Sequence, residues 1–195
     1  MTGTLTVFVR GDDAADVDAV WAEFRSGFSR TRQGTLVVES PSQVLSAGVR
    51  LSGPIPAPDE DPTSGGFVRD VQVPLVADRC GWWTDWQSAT GTVTVTNWGD
   101  LTVWPQIRWG GVADTVYLPS GARFPLPKAS GERVVSLSMA QAGFVTTKDG
   151  TPDFALRKQM SGAYPEGVPA GQTRTYRLPT GAALEWQIGV LDPWR

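Results

Sequence analysis

The sequence contains no histidine and only one cysteine, Cys80. Without imidazole the chain cannot build a Ser-His-Asp or Cys-His nucleophilic site, a histidine-ligated zinc site or a histidine-based acid–base pair. A single thiol cannot form an intramolecular disulfide or a multi-cysteine metal site. With no histidine to activate it, Cys80 is expected to be an unreactive thiol.

Clusters of positive charge and long apolar runs are also missing. The formal net charge is −3, and no basic run occurs, which argues against sequence-independent binding of nucleic acid. No apolar run approaches the roughly 18 residues that a membrane span requires. The first residues lack the basic and apolar segments of a secretory signal. We therefore expect no nucleic-acid partner and no membrane insertion. We also expect the protein to be made in the cytoplasm.

Sequence motifs for phosphate and calcium are absent as well. There is no Gly-x-Gly-x-x-Gly, no Gly-Lys-Ser/Thr and no calcium-loop series of alternating Asp residues followed by Gly. Carboxylates cluster at residues 12–13 and 59–61, but nothing places two of them across a cleft as glycoside hydrolysis requires. A glycan-cleaving enzyme is thus supported by the acid count alone. The sequence predicts no catalytic residue, no cofactor-binding residue and no metal ligand.

What the chain does have is regular alternation of polar and apolar residues, strongest between residues 92 and 109. Thr alternates with Val over residues 92–96, and a second alternating run follows the Asn-Trp-Gly-Asp segment at 97–100. The apolar residues that share one parity in the second run are Leu101, Val103, Ile107 and Trp109. Alternation of this kind predicts half-buried strands, and Asn and Gly favour a tight reversal. We therefore predict a β-hairpin here.

The N-terminal region combines this strand pattern with one change of period. Residues 4–9 alternate as a strand, whereas residues 14–28 place apolar side chains at spacings of three, four and seven. Those side chains are Val17, Val20, Trp21, Phe24 and Phe28. The pattern predicts an amphipathic helix, with Asp12 or Asp13 as its N-cap, and no other segment is convincingly helical.

Further short strands are predicted along the rest of the chain. They cover residues 35–39, 44–51, 67–76, 115–118, 134–139, 144–147, 154–156, 173–178 and 183–190. Gly48 is a candidate bulge, and Val135, Leu137 and Met139 are expected to face inward. Phe67 shares the apolar face of strand 67–76, although Arg69 has the same parity and makes that pattern imperfect. Short strands separated by turn signals indicate a mainly β protein with an antiparallel sandwich or barrel.

One segment interrupts this pattern. Residues 53–66 contain four prolines, three acids and several glycines, so they can form neither a ladder nor a helix. The segment is either an exposed loop, which we favour, or an arm that projects to a subunit contact. An aromatic stretch at residues 77–86 then indicates a domain boundary.

The nine tryptophans offer large apolar surfaces. Trp21, Trp109 and Trp186 have core-facing positions, whereas Trp104 has the outward parity of its strand. An outward tryptophan can stack on a sugar ring or pack at a protein contact. We favour packing for both Trp98 and Trp104.

The ordered combination of these features resembles the distal tail proteins of long-tailed bacteriophages (siphophages), also called minor tail proteins. The features are the strand–helix–strand order over residues 5–39, the Asn97-Trp98-Gly99-Asp100 segment with Pro105 and Gly110-Gly111, the loop 167–173 and the ending Leu191-Asp192-Pro193-Trp194-Arg195. The resemblance implies an N-terminal α+β belt domain with one amphipathic helix, residues 1–86. It also implies a C-terminal antiparallel galectin-like β-sandwich, residues 87–195.

The resemblance further implies a structural virion protein rather than an enzyme. Such proteins form a ring, usually hexameric, at the distal end of the tail tube. The ring joins the tail tube protein to the tail-tip hub, or baseplate, and carries or adjoins receptor-binding proteins. The chain lacks the histidine and the ordered polar set by which galectins hold galactosides, so galectin-type sugar binding is not expected. The alternative function is a carbohydrate-binding β-sandwich module that adheres to host surface glycans.

Overall fold

The computed structural model describes residues 1–13, 16–58, 66–111, 114–160 and 164–194. The chain divides into two compact units, Met1–Trp82 together with Trp194 and Trp83–Pro193. Antiparallel sheets dominate both units. The predicted mainly β fold class is confirmed.

The first unit is an antiparallel sheet with one helix. Its strands are β1 (Thr2–Arg10), β2 (Gly34–Glu39), β3 (Val44–Leu51) and β4 (Phe67–Ala77), and its helix is α1 (Val17–Ser26). Within this unit β1 pairs with β4, β4 with β3, and β3 with β2. Val17 and Trp21 of α1 are buried in one core with Val71 and Val73 of β4, because the helical period turns these two positions toward the sheet.

Two details of the first unit differ from the predictions. The N-cap position of α1 is Asp16 rather than Asp12 or Asp13, and the Asp16 amide donates to Asp13 Oδ1 at 2.9 Å. Gly48 is not a bulge, because it pairs with Thr35 in an unbroken register. A Cβ at position 48 would lie 2.6 Å from Gln33 Nε2, so the glycine leaves room for that side chain.

A bulge does occur in β4, where the sequence pattern is imperfect. Val7 pairs with Val71 and Val9 pairs with Val68, so two residues of β4 stand opposite the single residue Phe8. The inserted residue reverses the parity, and Val68 is buried where the alternation placed Phe67 on the core face. Asp70, inside the bulge, has a positive φ of 52°.

The second unit is a β-sandwich. After β5 (Trp82–Trp83), its strands are β6 (Gln87–Thr90), β7 (Thr92–Thr96), β8 (Gln106–Gly111), β9 (Asp114–Tyr117), β10 (Arg123–Leu126), β11 (Ala129–Ser136), β12 (Val145–Thr147), β13 (Thr173–Arg177), β14 (Ala182–Trp186) and β15 (Gly189–Val190). One sheet has the order β10-β9-β13-β7 and the other β12-β11-β8-β14-β6. Both sheets contribute to one core, in which Trp109, Phe124 and Tyr176 are among the largest buried side chains.

The predicted hairpin of residues 92–109 is wrong. Strand β7 pairs with β13, whereas β8 pairs with β11 and β14 in the opposite sheet. The segment between β7 and β8 therefore crosses from one sheet to the other. The predicted parity is nevertheless correct for Val103, Ile107 and Trp109, which are all buried, since alternation within a strand does not depend on its partner.

Three predicted strand features of the second unit also change. Residues 154–156 lie in a one-turn helix, α2 (Phe154–Arg157), where the Leu156 amide donates to Asp153 Oδ1 at 3.0 Å. Met139 lies in a 3-10 turn and is 74% exposed, so its predicted inward position is wrong. The predicted strand 183–190 is split into β14 and β15.

Candidate functional site

A groove on the second unit brings together four connecting segments and the start of β13. Its volume is about 650 Å³. Trp104, Met139 and Tyr164 form its apolar walls, and Glu166 lies at its base with Ser120 and Arg174 beside it. These six residues define the Glu166 groove.

Glu166 is a buried acid, and each of its two carboxylate oxygens has a hydrogen-bond partner. Only 7% of the residue is exposed. Its Oε2 accepts a hydrogen bond of 2.6 Å from Ser120 Oγ, and its Oε1 accepts one of 3.2 Å from Arg174 Nη1. The Arg174 guanidinium also compensates the negative charge, which a buried carboxylate requires. The base of the groove is thus an ion pair with no formal net charge.

The backbone of Glu166 is held from the core side of the sandwich. Its amide donates to the Leu137 carbonyl oxygen at 3.0 Å, and its carbonyl oxygen accepts from the Tyr176 hydroxyl at 3.1 Å. Burial raises the pKa of Tyr176 above its usual range, and the negative charge of Glu166 raises it further. Tyr176 therefore stays protonated at neutral pH and keeps donating this hydrogen bond.

The Trp104 wall is positioned by close backbone packing. Val103 and Val168 exchange two backbone hydrogen bonds of 3.0 and 2.8 Å. This bridge brings Gly167 so near that a Cβ there would lie 2.8 Å from Trp104 Cε3 and 2.8 Å from the Val103 carbonyl oxygen. Only glycine fits without displacing the neighbouring groups, so the indole ring rests directly on backbone.

The predicted burial of the tryptophans is partly confirmed. Trp21, Trp109 and Trp186 are buried as expected, whereas Trp98 is 47% exposed and Trp104 is 36% exposed. Trp98 and Trp104 are therefore only partly packed within the chain. Their packing at a subunit contact stays a prediction.

The remaining sequence candidates do not form a site in the described residues. Asp12 and Asp13 are exposed, and residues 59–61 lie outside the described residues. Within the described ranges no group of three or more acidic or thiol side chains could hold a metal ion. Cys80 is exposed, and its Sγ lies 3.6 Å from the N-terminal amine.

Sequence reasoning missed Glu166 because its partners are distant in the chain. Ser120 precedes it by 46 residues, and Arg174 follows it by 8. A Pro-Glu-Gly run in a loop normally indicates a solvated acid. No local signal distinguishes this buried glutamate from the exposed ones.

The first unit exposes apolar side chains on its sheet. Phe8 is 58% exposed, Val37 47% and Val44 50%. The Phe8 and Phe67 rings have centroids 5.6 Å apart, and the Arg69 guanidinium lies 4.4 Å from the Phe67 centroid. Phe8 lies on β1, an end strand of this sheet, and Val37 lies on β2, which pairs with β3.

Among the described helices, none is long and apolar enough to cross a membrane.

The two units together define the fold class: an α+β unit with one amphipathic helix, followed by an antiparallel β-sandwich. No protein-family model and no curated protein matches the sequence. Solved structures do match the fold.

One similar structure is the SPP1 Dit (gp 19.1) protein, described as a paradigm of the hub adsorption apparatus in phages that infect Gram-positive bacteria. The TM-score is 0.65 at 12% identity, over 96% of this chain and 77% of that chain. Another is a chain of the phage P2 baseplate in its activated conformation with Ca, with a TM-score of 0.51 at 8% identity, over 98% and 80%. The resemblance to phage distal tail proteins is thus confirmed at the level of the fold.

Proposed function

We propose that this protein is a structural component of a phage virion, a distal tail protein that joins the tail tube to the tail-tip hub. The observation that carries the proposal is a fold shared with SPP1 Dit over 96% of this chain. The sequence supports the same conclusion, because it contains no histidine and no motif for phosphate or metal chemistry. By this proposal the protein is made in the host cytoplasm and resides in the virion.

The proposal assigns residues 1–86 to a ring-forming belt domain and residues 87–195 to a galectin-like domain. The belt domain would form a homo-hexameric ring. Its partners would be the tail tube protein, the hub protein and receptor-binding proteins. Neither nucleic acid nor membrane is among them.

The edge strand β1 is the surface best suited to ring formation. It has nine residues, and its outer edge offers unpaired backbone groups that a neighbouring copy can pair with. Rings arise from heterologous contacts, in which two different surfaces of each copy meet around the circle. Strand β2 pairs with β3 and with no other described strand, so its outer side gives each copy a second, different surface for strand pairing.

A proline substitution at Thr4 tests this contact with little effect on the fold. Thr4 stands opposite Pro74, whose carbonyl oxygen accepts from the Ser52 amide at 3.0 Å on the β3 side. In an antiparallel pair, two residues directly opposite each other either both direct their N–H and C=O groups toward each other or both direct them away. Because the carbonyl of Pro74 points away from β1, the pair is of the second kind. Thr4 therefore directs its N–H away from β4, and proline at this position removes only the outward donor.

The experiment compares oligomeric states by light scattering after size exclusion, together with negative-stain microscopy. The wild-type chain should form rings at high concentration, and Thr4→Pro should shift it toward monomer. Thr4→Val is the matched control, because it keeps the N–H and should still form rings. A wild-type chain that stays strictly monomeric at high concentration would contradict the ring.

A further inference from the structure

The Glu166 groove combines exposed aromatic walls with a polar base, an arrangement that suits a sugar. A pyranose has apolar C–H faces and a rim of hydroxyl groups. From this match we propose that the groove binds a neutral saccharide. In this proposal Trp104 and Tyr164 contact the sugar faces, and Ser120, Glu166 and Arg174 bond the hydroxyls. The site is independent of the ring proposed above.

The walls provide the apolar contacts. Trp104 is 36% exposed and Tyr164 is 59% exposed, so both rings have free surface toward the groove that they line. Aromatic side chains bury a large area at a low cost in conformational entropy. Trp104 is also held in place by the Gly167 backbone, which reduces the entropy lost when a ligand is bound.

The base provides hydrogen bonds of both kinds. An ionised carboxylate accepts about four hydrogen bonds and a guanidinium has five donors. The Glu166 carboxylate accepts from Ser120 Oγ and Arg174 Nη1, which leaves lone pairs for further donors. A hydroxyl group both donates and accepts, so one sugar rim can use the spare acceptors of Glu166 and the spare donors of Arg174.

The charge of the base selects the class of ligand. The formal charges of Glu166 and Arg174 cancel. A charged ligand would lose its water in the groove and find no opposite charge to compensate it, which costs free energy. The groove is therefore suited to neutral hexoses and N-acetylhexosamines rather than to acidic sugars or charged peptides. Its volume of about 650 Å³ lies within the range of about 300–1,000 Å³ that is typical of small-molecule sites.

The test uses the full-length chain on an array of neutral hexose- and N-acetylhexosamine-containing oligosaccharides, followed by calorimetry with the strongest hit. The wild type should bind, and Trp104→Ala and Tyr164→Ala should each weaken binding by about tenfold or more, as central aromatic contacts do. Trp98→Ala is the matched control, because Trp98 is 47% exposed and is not a groove residue; it should bind like the wild type.

A second pair of variants keeps the result interpretable if Trp104→Ala fails to fold. Tyr164 is largely exposed, so Tyr164→Ala should retain the wild-type melting temperature. Glu166→Gln preserves the shape of the side chain but removes the charge that balances Arg174, and it should also weaken saccharide binding.

Three results would overturn the proposal. The first is that no neutral saccharide binds the wild type. The second is that Tyr164→Ala and Glu166→Gln both fold and bind as strongly as the wild type. The third is that the groove variants change the oligomeric state, which would make the groove a contact between copies. Thr4→Pro should lose the ring and keep saccharide binding, so failure of this proposal and failure of the ring are distinguishable.

Discussion

The side-chain amide of Asn97 donates to the carbonyl oxygen of Val168 at 2.8 Å, across 71 residues of sequence. The same Nδ2 donates to the Leu101 carbonyl oxygen at 2.9 Å, and Asn97 Oδ1 accepts from the Gly99 amide at 3.0 Å. Asn97 is fully buried. One asparagine therefore satisfies three backbone groups where the chain leaves β7 and crosses to the other sheet.

Replacing Asn97 with alanine should lower the free energy of unfolding by about 3 kcal/mol, because three hydrogen bonds to backbone groups would be lost, two of them buried. Asn97→Asp should be no better, since a carboxylate has no donor for Val168 and places a charge in the core. Urea denaturation measures both effects. Thr92→Ala, on the exposed face of β7, is the control and should change stability by less than about 0.5 kcal/mol. An unaltered urea midpoint for Asn97→Ala would contradict the prediction, because it would mean that water replaces the side-chain amide without loss of stability.

A methyl group at Gly167 should disturb both stability and the Trp104 wall. The added Cβ would lie 2.8 Å from Trp104 Cε3, Thr102 Cγ2 and the Val103 carbonyl oxygen, and the last of these belongs to backbone that cannot move aside. Gly167→Ala should therefore cost about 1–3 kcal/mol and shift the tryptophan emission. For Gly110→Ala the nearest contact is 3.5 Å, so this control should show neither change. Equal behaviour of the two variants would refute the close packing.

The bulge of β4 should tolerate only some side chains at Asp70. Its φ of 52° lies in the left-handed region, which Asp and Asn adopt more readily than other residues with a side chain and which β-branched residues avoid. Asp70→Val should lower the free energy of unfolding by about 1–2 kcal/mol, whereas Asp70→Asn should be within about 0.5 kcal/mol of the wild type. Thermal melts at neutral pH measure the difference. If Asp70→Val were as stable as Asp70→Asn, the bulged pairing of β4 with β1 would not require a positive φ at residue 70.

Stability should fall in acid because of Asp153. The pKa of its carboxyl is lowered, first by the hydrogen bond from the Leu156 amide and then by the Arg133 side chain, whose Nε lies 2.9 Å from Asp153 Oδ2. A group with a lowered folded pKa stabilises the protein above its unfolded pKa, which is about 3.9 for Asp. The contribution is lost as the pH falls from about 4 through the lower folded pKa.

Urea midpoints measured between about pH 6 and pH 3 test this sign. The midpoint of the wild type should fall more steeply than that of Asp153→Asn, which cannot titrate at this position. Arg133→Gln removes the second partner and should give an intermediate slope. Parallel curves for all three proteins would exclude a role for Asp153 in acid sensitivity.

The sequence predicted those features of the fold that depend on local geometry. The alternation in β7 and β8 identified Val95, Ile107 and Trp109 as core residues, because side chains alternate along a strand whatever it pairs with. The helical period of α1 identified Val17 and Trp21 in the same way. Where β4 contains an extra residue the alternation fails, and so did the assignment of Phe67 to the core face.

Strand pairing and the Glu166 groove were decided by the tertiary structure. Thr94 pairs with Thr175 of β13 rather than with a residue of β8, because burial of both apolar faces requires two sheets and the segment after β7 must cross between them. Ser120, Glu166 and Arg174 meet only because the folded loops bring them together. Local alternation determined which side chains are buried; long-range packing alone determined which strands are neighbours and which polar groups form a site.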